Sequence, residues 1–185
     1  MQVASTSFRA YAVDLFGFGD TSRDPLRYTL DKQAELINRF LEEMGIGKVA
    51  LVGHDLGALV ALTFIKQKHE SVDRVMAVNC PLEYDALNAR MRTAPATELV
   101  EWLTSRTPEA LAALSDASKV DPQAVSVSMT GLQSDNLFAS VRNLSIPSLF
   151  VYGTNTPALP RTAQEKTAAL PQHMHQINLE GAGHF

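Results

Sequence analysis

The sequence predicts an α/β domain with a mostly parallel sheet flanked by helices, and three observations support this. Runs of β-branched and apolar residues recur at 8–15, 48–52, 74–79, 148–152 and 174–179. Helical patterns occupy three of the four intervals between them, at 29–44, 56–68 and 161–170. The second run leads straight into Gly53-His54-Asp55-Leu56-Gly57 and an apolar helix, a strand–turn–helix unit. Strand alternating with helix implies parallel pairing, because a crossover helix returns the chain to the same end of the sheet and covers its face.

Composition bounds the class. At 185 residues, 45% hydrophobic and 19% charged, the chain is expected to form one globular domain with a real core. A formal net charge of −4 without clusters of Lys or Arg excludes a nucleic-acid surface and disfavours anionic partners. The single cysteine, Cys80, allows no intrachain disulfide, fits a reducing compartment and is expected to pack. No apolar run is long enough to span a bilayer, and the first seven residues lack a signal core, so no membrane association is expected and the cytoplasm is the simplest location.

Taken in order, residues 8–15 read as a first strand ending at Asp14-Leu15. Residues 29–44 place Leu30, Ala34, Ile37, Phe40 and Leu41 on one helical face and stop before Gly45. Val49-Ala50-Leu51-Val52 is a buried strand pattern, and residues 58–65 continue the turn as an almost wholly apolar helix. Between Asn79 and Ile146 the chain is polar and helix-forming, with breaks at Pro95, Pro108 and Pro122. This stretch reads as a helical insertion, either a lid over the strand ends or an extension that packs on a partner chain. The predicted organisation is core 1–82, helical lid 83–144 and core 145–185.

The chemistry centres on Asp55. A glycine on either side of the central residue allows a turn tight enough to lift its side chain clear of the backbone at the strand's end. Aspartate there cannot form a serine-type alkoxide; its carboxylate would attack an electrophilic carbon and form an alkyl ester, which points to epoxides or carbon–halogen bonds. In the other reading, Asp55 only caps the helix that follows.

Together these segments resemble the α/β-hydrolase family, and more narrowly its aspartate-nucleophile branch of epoxide hydrolases and haloalkane or haloacid dehalogenases. Asp14-Leu15-Phe16-Gly17-Phe18-Gly19-Asp20 is similar to the family's glycine-rich segment after a sheet strand. It is no dinucleotide fingerprint, since the third glycine is absent and polar turn residues follow. Ile146-Pro147-Ser148-Leu149-Phe150-Val151-Tyr152-Gly153 resembles the strand before the family's acid, and Gly181-Ala182-Gly183-His184-Phe185 resembles its histidine loop. The resemblance implies that His184 activates a water to hydrolyse the ester on Asp55. It implies no metal or organic cofactor, with a small apolar substrate and water as the reactants. His69, His173 and His175 lack such a setting, and His54 is expected to pack or hydrogen-bond under the turn.

Departures from the family pattern carry expectations of their own. The acid that orients the histidine is replaced by Thr156 within Gly153-Thr154-Asn155-Thr156-Pro157. Glu83, after the third strand, is either a substitute acid, as in some dehalogenases of this branch, or a solvated residue. The Leu56 N–H remains as an oxyanion donor, while the loop that supplies the second donor has no counterpart in residues 1–8; losing one donor costs about two to three powers of ten in rate. The family's first strands and last helix are expected to be missing, leaving sheet edges that self-association would cover. Tyr84 and Trp102 are the candidates for contacting an epoxide oxygen or a halide. The expected activity is epoxide opening, with dehalogenation as one alternative and a catalytically impaired binding protein as another.

Overall fold

The computed structural model describes residues 6–104, 108–134, 137–159 and 170–185. Their strands form one sheet in the order β1 (Val49–His54), β2 (Val72–Val78), β3 (Ser148–Gly153) and β4 (Met174–Leu179), with every neighbouring pair parallel. Helix α1 (Leu30–Glu43) precedes β1, and α2 (Leu56–Lys68) crosses from β1 to β2. Between β2 and β3 the chain forms α3 (Ala89–Thr93), α4 (Ala96–Leu103), α5 (Pro108–Ala117), α6 (Ala124–Ser134) and α7 (Leu137–Arg142).

Local chemistry explains the two long helices. Thr29 caps α1 by accepting the Lys32 N–H at 3.4 Å, and Gly45 follows the helix in the left-handed conformation at φ 65°. Leu30, Ala34 and Leu41 of α1 are buried, and the helix packs on α2. Helix α2 has no polar face in its first three turns because β1 and β2 cover one side while α1, α6 and α7 approach others. Phe64 and Ile65 there are fully buried.

Residues 8–15 correct an expectation. They join no ladder: among the described residues β1 pairs with β2 on one side and ends the sheet on the other. A strand-like composition needs a neighbouring strand to satisfy its backbone. The segment lies instead against α1, where the Tyr11 ring meets Phe40 edge-on at 5.4 Å. Its end is fixed by the buried side chain of Gln33, which donates to the Phe16 carbonyl at 2.9 Å and accepts the Phe16 N–H at 2.8 Å. The helix expected over 161–170 lies, save for Leu170, outside the described residues.

One face of the sheet is open at its margins, with Val52 on β1 71% exposed and Ile177 on β4 46% exposed. Among the described residues no helix is long and apolar enough to cross a membrane.

Candidate active site

The turn after β1 holds Asp55 at φ 49° and ψ −114°, outside the regions that L-residues favour. Such a conformation costs about 1–3 kcal/mol and persists only where the surroundings over-determine it. Here the Asp55 N–H extends the β1–β2 ladder to the Val78 carbonyl at 2.9 Å, while its own carbonyl accepts from Ala58 and Leu59 in the first turn of α2. A Cβ on Gly53 would stand 2.5 Å from the Ala58 Cα and nitrogen, so only glycine lets strand and helix approach this closely. Gly57 differs from expectation, because a Cβ there would meet open space.

The Asp55 carboxylate makes no capping bond to α2, so the reading of Asp55 as a helix cap fails. It faces His184 instead, with Oδ2 3.7 Å from Nε2. The side chain of His184 is 1% exposed and that of Asp55 17%, so the pair opens outward on the Asp55 side. At the helix N-terminus the first N–H groups of α2 lack intrahelical acceptors, which makes the Leu56 N–H available to a developing negative charge.

The loop carrying His184 is tied to the ends of the other strands. The Ala182 carbonyl accepts the Asn155 N–H at 2.9 Å, and a Cβ on Gly153 would come within 2.6 Å of that carbonyl oxygen. Thr156, buried, places Oγ1 2.9 Å from His184 Nδ1. A neutral hydroxyl therefore stands where a carboxylate would orient a general-base histidine. The same oxygen accepts the Ala158 N–H at 3.4 Å.

His54 and Asn79 complete the surroundings. His54 Nε2 lies 2.7 Å from the His184 carbonyl oxygen, and since a carbonyl only accepts, that nitrogen carries the hydrogen. Burial is the main cause that holds the His54 pKa below the usual imidazole value, with the neighbouring His184 acting in the same direction. Its ring stands edge-on to the His184 ring at 4.7 Å. Asn79, buried and in the left-handed region at φ 46°, donates to the same carbonyl from Nδ2 at 2.8 Å. The sequence marked Asn79 only as a strand's end; an asparagine where a strand turns sharply was the available signal.

The remaining candidates have definite places. Glu83 is half-buried and precedes a short 3₁₀ turn (Tyr84–Ala86) without capping it; the bond at His184 Nδ1 belongs to Thr156. The Tyr84 ring carries the Arg92 guanidinium at 4.5 Å, and the Trp102 ring in α4 carries Arg90 at 5.4 Å. Burial, with the Asp55 charge in second place, pushes the Cys80 thiol well up, so it stays protonated and packs in the core. Exposed His69 pairs with Glu70 at 3.5 Å. Among the described residues no group of three or more His, Cys, Asp or Glu side chains could hold a metal ion.

A parallel α/β sheet, a strained acid at the turn from strand to helix and a histidine facing it from the last strand's loop make the strand–turn–helix arrangement of an α/β-hydrolase fold. The model for the alpha/beta hydrolase family matches residues 2–185, and the chain belongs to that family. Epoxide hydrolase 3 of Siraitia grosvenorii is 45% identical over 67 residues, 35% of this chain and 21% of that protein. An uncharacterized protein of Mycobacterium tuberculosis is 26% identical over 96% of this chain, which spans 62% of its length. The 2-(acetamidomethylene)succinate hydrolase of Mesorhizobium japonicum is 28% identical over 98% of this chain and 73% of its own. Among solved structures, a bromoperoxidase from Bacillus anthracis superimposes with a TM-score of 0.74 at 17% identity, covering 92% of this chain and 73% of that one, a likeness of fold.

Proposed function

We propose that this chain opens epoxides by nucleophilic attack of Asp55. The observation that carries the proposal is the Asp55 carboxylate itself, held at a strained turn, free of any capping bond and facing His184 Nε2 at 3.7 Å. A carboxylate oxygen would bond to an epoxide carbon as that carbon's ring C–O bond breaks, and the released oxygen would take a proton from the Tyr84 hydroxyl or from water. The product is an alkyl ester on Asp55. A separation of 3.7 Å exceeds a direct hydrogen bond and leaves Nε2 able to hold a water against the ester carbonyl. That water loses a proton to His184 and adds to the carbonyl with the Leu56 N–H supporting the oxyanion. Collapse breaks the ester C–O bond, and the departing diol oxygen takes the proton from His184. The Asp55 acid gives its own proton to the phenolate or hydroxide left by ring opening and returns to carboxylate.

Partial-length similarity to plant and mammalian epoxide hydrolases supports this substrate class. The relative matched over nearly the whole chain is named for hydrolysis of 2-(acetamidomethylene)succinate; Asp55 is what turns the proposal toward alkyl electrophiles. Dehalogenation would use the same nucleophile, but Leu56 offers a departing halide no side-chain donor. Impaired turnover is the second reading, favoured by the neutral Thr156 partner at His184 Nδ1. In the catalytic account Glu83, after β2, is the substitute acid to be tested, and residues 83–144 are the lid.

The test is incubation of the purified chain with a reactive aryl epoxide, followed by intact-mass analysis and mapping of the adduct. An ester on Asp55 is expected, and it should be absent from Asp55→Ala. A folded sample that forms no adduct with the epoxide, a haloacid or a haloalkane would end the proposal, and adducts with a halide substrate alone would move it to dehalogenation.

A further inference from the structure

We infer that Asn79, acting with His54, is the positioning device that sets His184 against Asp55 by gripping the His184 backbone carbonyl. This rests on the roles proposed above for Asp55 and His184. Two donors converge on one oxygen: His54 Nε2 at 2.7 Å from the end of β1 and Asn79 Nδ2 at 2.8 Å from the end of β2. A carbonyl oxygen has two lone pairs, and both are engaged. Asn79 is anchored in turn, because its Oδ1 accepts the Gly153 N–H at 3.0 Å and its own N–H donates to the Val151 carbonyl at 2.8 Å. One residue's carbonyl is thereby referenced to the ends of three successive strands.

The residue types fit this task. Asparagine tolerates the left-handed backbone found at Asn79 and offers a donor and an acceptor on one short planar group. His54 adds a steric constraint, since its ring stands edge-on to that of His184 at 66°. The grip matters more here than where a carboxylate holds the ring. The Thr156 hydroxyl can rotate and can donate or accept at Nδ1, so it constrains the imidazole only weakly. Placement of His184 then depends on its backbone.

The two half-reactions separate a positioning role from a structural one. Attack by Asp55 uses no base, whereas ester hydrolysis depends on where Nε2 sits, and a displacement of about 1 Å costs on the order of a hundredfold. The full chain is treated with an aryl epoxide, and ester formation and decay are followed by intact mass. Asn79→Ala and His54→Phe, which keeps a ring but loses the donor, should form the ester within about threefold of the unaltered rate and lose it about a hundredfold more slowly. His54→Gln, which keeps a side-chain N–H, should restore decay to within about tenfold. Decay unchanged in both loss variants, or formation and decay falling equally in folded protein, would overturn the inference.

Absence of any ester in the unaltered chain would sink the nucleophile proposal and leave the grip to a second measurement. Ring ¹⁵N spectra of the histidine-labelled chain, taken without substrate, should show the tautomer balance of His184 changed in Asn79→Ala and in His54→Phe. His69, His173 and His175 should keep their signals. An unchanged His184 ring signal in a folded loss variant refutes the grip, and His54→Phe decides the matter if Asn79→Ala does not fold.

Discussion

On the proposed mechanism, replacing Thr156 by Asp should speed hydrolysis of the Asp55 ester. The threonine oxygen lies 2.9 Å from His184 Nδ1, so a carboxylate in its place would stand about 4 Å from the centre of an imidazolium charge. At an effective dielectric near 20 that attraction is about 4 kcal/mol. Burial of the new carboxylate offsets part of it, although the Ala158 N–H is already aimed at the site. Asp55 adds no repulsion during this step, because as an ester it is neutral. A net gain of about 2–3 kcal/mol in the transition state corresponds to a roughly 30- to 150-fold faster decay. Single-turnover mass measurements with an aryl epoxide read it directly, and ester formation is the internal control. Thr156→Val, which keeps the shape and removes the hydroxyl, should slow decay further. If the folded Asp variant forms the ester at the ordinary rate and decays no faster, the electrostatic account of Thr156 is refuted.

Three further outcomes follow from the same geometry. Asp55→Gly should relieve the backbone strain at φ 49°, raising the melting temperature by about 2–4 °C for about 1 kcal/mol while abolishing adduct formation; a lower melting temperature would show that the turn stores no strain. Gly153→Ala puts a Cβ 2.6 Å from the Ala182 oxygen and should cost about 1–3 kcal/mol in a denaturant titration, together with the decay step; retention of both would show that the histidine loop yields easily. The lowered pKa of half-buried His54 gives a stability term that is fully present above about pH 6.5 and lost as pH falls through that value toward the folded one, because the unfolded chain then binds the proton more readily. Melting curves between pH 7.5 and 5 should therefore fall more steeply for the unaltered chain than for His54→Gln, and parallel slopes would remove His54 from the account.

The parts of this fold that were legible in the sequence are those decided locally. Gly53 and Asp55 announce the strand-to-helix turn because a short stretch of chain contains the strand, the close approach and the start of an apolar helix. His184 is visible from the glycines around it. Residues 8–15 misled because composition reports what a strand would bury, whereas pairing depends on a neighbour elsewhere in the chain. Gln33 sits in the apolar stripe of α1, a signal of a buried partner that gave no hint it was Phe16. The role of Asn79 was hidden for the same reason, since it becomes meaningful only when the end of β2 meets the loop after β4, whereas the place of Thr156 beside the histidine was legible through the family resemblance alone.

That meeting of strand ends also separates two kinds of change the molecule can undergo. The bonds that hold His184 come from Asn79, His54 and Thr156, all at or just beyond strand ends. The long helical excursion leaves after Asn79 and rejoins the sheet at β3, touching this framework where the Asn88 N–H meets the Ala158 carbonyl at 3.2 Å. The excursion reaches the acid by another route, because α6 and α7 pack on α2, the helix that begins beside Asp55. Changes on the face that packs on α2 should therefore act on Asp55 through that helix, whereas changes at the strand ends act on His184.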